Sequence, residues 1–94
     1  MSETIDELTM TYEEDGEVLV EELGKVVLSK GAWTTILFKY RDRRPGAEFS
    51  APKFSIRRFQ KVEGTYRYKS KFNISSEKQA KMIVDALNDW LAEA

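Results

Sequence analysis

The spacing of apolar residues changes character twice along the chain. In residues 1–17 they are sparse: Ile5, Leu8, Met10 and Tyr12 stand among acids, a composition that predicts a disordered acidic tail. From Val18 the pattern becomes that of strands. "VLVEELGKVVLSK" is rich in β-branched residues, with Gly24 marking a bend or bulge. After a turn at Gly31, "AWTTILFKYR" alternates. Thr34, Ile36, Phe38 and Tyr40 take one face, and Trp33, Thr35, Leu37, Lys39 and Arg41 take the other. "DRRPGAEFSAP" is a loop punctuated by Pro45-Gly46 and Pro52.

A hairpin follows. In "KFSIRRFQK", Phe54 and Ile56 share a face, and Lys53, Ser55, Arg57, Phe59 and Lys61 share the opposite one. "VEGT" is the connection, with Gly64 available for positive φ. In "YRYKSKFNI", Tyr66, Tyr68, Ser70, Phe72 and Ile74 alternate with Arg67, Lys69, Lys71 and Asn73. Arg58 falls on the apolar side, which marks a bulge, a sheet edge or a contact with a second subunit. The pattern then switches to helical spacing. Ser76 with Gln79 three residues on fits a capping box. Ala80, Ile83, Val84, Leu87, Trp90 and Leu91 form one stripe over 77–91. The predicted fold is α+β: a four-stranded antiparallel sheet followed by one C-terminal helix, β-β-β-β-α, in a single domain over 18–94.

Composition narrows the chemistry. The 94-residue chain has no Cys and no His, which removes disulfides, thiolate metal sites and the commonest general base. There is no P-loop, dinucleotide fingerprint or nucleophile elbow. "EEDGE" lacks the ligand spacing of a calcium loop. The expectation is a non-enzyme with no cofactor, metal or small-molecule substrate. "MSETIDELTM" lacks the charge and hydropathy of a signal peptide, and no apolar run is long enough to span a bilayer. An intracellular protein, cytoplasmic or nucleoid-associated, is therefore expected.

The net charge of −1 conceals segregation. Residues 1–24 contain acids and no base, whereas between Lys53 and Lys71 the only acid is Glu63, in the turn. A basic sheet face with aromatic residues beside it suits single-stranded nucleic acid: cations track phosphates, and exposed rings stack on bases. Arg57, Lys61, Arg67, Lys69 and Lys71 are the candidate phosphate contacts, with Lys53, Lys39 and Arg41 as helpers. Phe59 and Trp33 are the candidate stacking rings. Glu3, Asp6, Glu7 and Glu13 to Asp15 are either a candidate mimic of nucleic acid, lying over that face, or a plain solubility tail. The rival class is a protein-interaction module whose basic face docks an acidic partner.

Short motifs in order also carry a likeness. "FSIRRF" has an Ile-Arg pair followed by an aromatic, "FNISSEKQ" leads a strand into a helix through Glu77, and Glu21-Glu22-Leu23, Val27-Leu28-Ser29 and Trp33 precede them. Together with Pro52-Lys53-Phe54, these resemble the single-stranded DNA-binding domain of the transcriptional positive cofactor four family, its bacterial branch above all. The likeness covers roughly residues 18–91. It implies a homodimer that binds single-stranded or melted DNA with little sequence preference, in transcription or genome maintenance; the residues themselves do not choose DNA over RNA. It also implies that Arg57 and Lys69 hold matching positions. Gln60 stands where eukaryotic members carry Trp.

Overall fold

The computed structural model describes residues 4–93. Its elements are a 3₁₀ turn at Ile5–Glu7, strands β1 (Tyr12–Glu14), β2 (Glu17–Ser29), β3 (Trp33–Asp42), β4 (Lys53–Val62) and β5 (Thr65–Ile74), and helix α1 (Glu77–Ala92). The strands form one antiparallel meander in the order β1-β2-β3-β4-β5, so β5 is an edge strand. The sheet thus has five strands, one more than the sequence pattern predicts. The extra strand comes from the segment expected to be a disordered tail.

That segment folds because its few apolar residues find a core. Leu8 and Met10 are buried with Ile36, Phe38, Tyr40, Phe59 and Tyr66. Two side chains of β2 hold the segment down. The Lys25 ammonium donates to the carbonyls of Ile5 and Leu8, at 2.6 Å each. The Glu22 carboxylate accepts from the Thr9 hydroxyl at 2.7 Å and the Met10 N–H at 3.3 Å. A tight turn at Asp15 and Gly16, both at positive φ, then returns the chain from β1 into β2. Residues 4–17 are therefore part of the domain, not a tail; Glu3 lies outside the described residues. Because the mimic's Asp6 and Glu7 sit in a segment that covers β2 and β3, the acidic stretch has a packing role.

The two faces of the sheet are covered differently. Face one carries Thr34, Ile36, Phe38 and Tyr40, with Ser55 and Phe59 paired beside them on β4, and is closed by residues 5–10. Face two carries Leu37, Ile56, Phe54 and Ile74, and α1 leans on it. The helix begins as expected: the Gln79 N–H donates to the Ser76 hydroxyl at 3.1 Å. Its stripe is only loosely seated. No residue of α1 is buried, and Val84, Leu87, Trp90 and Leu91 remain about half exposed or more. An apolar cleft of about 370 Å³ separates Ile83, Val84 and Leu87 from Leu28, Leu37 and Ile56. The radius of gyration, 15.2 Å, exceeds the roughly 12 Å of a compact chain of this length. The chain is a slab of 50 × 38 × 17 Å with one finished face and one open one.

Candidate nucleic-acid interface

Register decides which side chains of the β4–β5 hairpin share a face. The turn residues Glu63 and Gly64 both have positive φ, so the loop has two residues and pairs Val62 with Thr65 and Lys61 with Tyr66. Counting on, Gln60 faces Arg67 and Phe59 faces Tyr68. Then the register shifts. Arg58 pairs with Ser70 and Arg57 with Lys71, leaving Lys69 as the extra residue of a β-bulge.

The bulge redistributes the expected site. Face one collects Arg57, Lys61 and Lys71 together with Tyr66 and Tyr68. Face two collects Arg58 and Arg67, beside Trp33 of β3. The basic surface expected on one face is therefore split between two. Tyr66 and Tyr68 lie on the basic face rather than with Phe72 and Ile74. Trp33, Lys39, Arg41 and Arg67 lie on the face opposite Arg57.

Rings and cations are already in contact on face one. Tyr68 is 52% exposed, and the Arg57 guanidinium sits 5.4 Å from its centroid. The Lys61 ammonium is 5.4 Å from the Tyr66 centroid. Phe59 is the correction: only 7% exposed, it belongs to the core under residues 5–10. Its ring supports Tyr68, centroid to centroid 6.1 Å and tilted by 54°. Tyr68, not Phe59, offers an open ring for a base to stack on.

The cations fall into two populations. One group is neutralised internally. Arg41 pairs with Glu21 at 2.6 Å, Lys53 with Asp42 at 3.0 Å and Arg43 with Glu17 at 3.6 Å. The guanidinium groups of Arg41 and Arg43 also lie over the Phe49 ring, at 4.1 and 4.3 Å. Arg41 and Lys53 thus tie the 43–52 loop to the sheet and are poor candidates for phosphate contact. Lys39 is exposed and lines a recess with Phe54 and Glu77 on the helix side. The other group has no carboxylate partner among the described residues: Arg57, Arg58, Lys61, Arg67, Lys69 and Lys71 on the hairpin, and Lys25 and Lys39 on β2 and β3. The Arg57 side chain makes no hydrogen bond with any described residue, and its Nε is buried without an acceptor.

The sequence held the signal that finds Tyr66 and Tyr68. A two-residue turn at Glu63-Gly64 places Tyr66 beside Lys61 by counting alone. Arg58 also gains a definite position. It is exposed on face two, its guanidinium 4.5 Å over the Trp33 ring. Among the described residues no cluster of acids could hold a metal ion, and no helix is long and apolar enough to cross a membrane. Comparison with protein-family models, with curated proteins and with solved structures gives no match.

Proposed function

We propose that this protein binds single-stranded nucleic acid, DNA in the first instance, with little sequence preference, and does so as a homodimer. The observation that carries the reading is the unpaired state of the cations on the β4–β5 hairpin, where Arg57, Lys61 and Lys71 surround an exposed Tyr68. Arg41 on β3 and Lys53 at the start of β4 have carboxylate partners; Arg57, Lys61 and Lys71 have none among the described residues. A strand of phosphates meets that demand, and Tyr68 stacks on a splayed base. Arg57 is matched to the fork geometry of a phosphate. The motif order that resembles the positive cofactor four family supports the same reading.

A duplex suits this surface less well. A base within a stacked helix presents no free face to Tyr68, and a half-exposed ring on a sheet does not enter a groove as a helix does. Homodimerisation rests on a separate observation. Val84, Leu87, Trp90 and Leu91 are about half exposed or more on a helix that stands off face two, an open apolar stripe of the kind that marks a contact with another protein. A second copy covering that stripe would complete the core that one chain leaves open.

The test is fluorescence anisotropy with labelled oligo-dT and a matched duplex, each across a salt series, with mass measured by light scattering. Tighter binding of oligo-dT, a log-linear fall with salt and a dimer mass are expected. Equal affinity for the duplex would falsify the single-strand reading.

A further inference from the structure

The bulge at Lys69 has a consequence for the path of a bound strand. In an unbroken β-strand, residues 67, 69 and 71 would all point to one face. Here Lys71 pairs with Arg57 on face one, Arg67 pairs with Gln60 on face two, and Lys69 occupies the bulge between them. Because β5 is the sheet edge, nothing in the sheet lies beyond these residues. Basic side chains therefore pass from one face of the hairpin to the other around an open edge.

Face two receives that track at a built patch. Trp33 is 41% exposed with the Arg58 guanidinium 4.5 Å over its ring. Arg67 lies on the same face two strands away, with Gln60 between them in the ladder Trp33–Gln60–Arg67. Neither arginine has a carboxylate partner among the described residues. The patch is distinct from the apolar cleft under α1, which Leu37, Ile56 and Ile74 line farther along the strands. It has the same composition as the surface on face one: unpaired cations around a partly exposed ring.

Resting on the single-strand reading above, we infer that the Trp33–Arg58–Arg67 patch is a second binding surface. One nucleic-acid strand crosses the β5 edge at Lys69 and wraps from Tyr68 on face one to Trp33 on face two. Charge complementarity selects the occupant, because a phosphodiester chain is flexible enough to turn the edge and carries an anion at every step. The plain alternative is that Arg58 and Arg67 keep an edge strand soluble and protected from mispairing.

The two are separated with labelled dT oligomers of about 5 and about 15 nucleotides, near the short and long ends of single-strand site sizes. Wild-type protein is compared with Arg58→Ala/Arg67→Ala and, independently, with Trp33→Ala. The face-two variants are expected to weaken the long oligomer about tenfold and to leave the short one within twofold. In a Trp90→Phe background, where Trp33 is the sole reporter, the long oligomer quenches fluorescence and the short one does not. Equal loss for both lengths, no loss for either, or quenching by the short oligomer overturns the wrapped path. Failure of wild-type protein to bind either length overturns the single-strand reading itself, so the two failures are distinguishable. Urea melts of each variant show whether a loss reflects unfolding, and Arg58→Ala/Arg67→Ala, at two exposed positions, carries the test if Trp33→Ala proves unstable.

Discussion

Truncating Leu8 to Ala separates two roles for the acidic N-terminal stretch. If the stretch is a mobile competitor for the basic face, removing Leu8 costs no stability and raises single-strand affinity. If it is part of the core, the substitution destabilises. Leu8 is 6% exposed and packs in the cluster containing Ile36, Phe38 and Phe59. Leu→Ala in a core costs about 2–5 kcal/mol. The low end applies because residues 5–10 lie on the surface of the sheet and can settle inward. A loss of about 2 kcal/mol is a large share of the roughly 5–15 kcal/mol typical of a domain. It lowers the melting midpoint by roughly 10 °C for a chain of this size. Urea denaturation followed by tryptophan fluorescence measures it, with oligo-dT affinity measured on the same samples below the transition. Affinity should stay within twofold, because Arg57, Lys71 and Tyr68 remain in place. A stability change below about 0.5 kcal/mol, the scale of a neutral surface substitution, together with tighter binding, refutes the packing role.

Other substitutions sort side chains by role. Tyr68→Ala should weaken oligo-dT by about 1–3 kcal/mol in anisotropy titrations while leaving the melting midpoint nearly unchanged. Phe59→Ala should instead destabilise by about 3–5 kcal/mol in urea melts, any loss of binding following from unfolding. Lys71→Ala should reduce the slope of log affinity against log salt by about 0.7, the share of one phosphate contact in a single strand. Leu87→Lys should convert a dimer mass to a monomer mass in light scattering; a dimer that persists would show that the α1 stripe is not the subunit contact.

The four long strands and the helix are legible in the sequence; β1 and the turn before it are not. The three long alternations, the turn at Glu63-Gly64 and the Ser76 cap define strands and a helix within a residue or two of those observed. The arrangement of faces differs from the one plain alternation predicts, although part of it is deducible. The turn sets Tyr66 beside Lys61, yet the apolar pattern requires Phe72 and Ile74 to join Ile56 and Phe54. Those two demands have opposite parity on β5, and only an inserted residue reconciles them. The bulge at Lys69 is that residue. Arg58 signalled the same conflict from β4. The burial of Leu8 and Met10 had no such local sign, because it depends on long-range hydrogen bonds with two side chains, Glu22 and Lys25. A strand apolar on one side also does not say what covers it. Ile36 and Phe38 pack under residues 5–10, while Leu37 on the same strand faces the helix.

Amide chemical-shift mapping of the protein titrated with oligo-dT tests the central claim most directly, because it reports both binding and place. The largest shifts are expected at Arg57, Tyr68, Lys69 and Lys71, with Glu77–Ala92 of α1 little affected. Shifts concentrated on the helix, or an unchanged spectrum at saturating oligo-dT, would contradict a single-strand interface built on the β4–β5 hairpin.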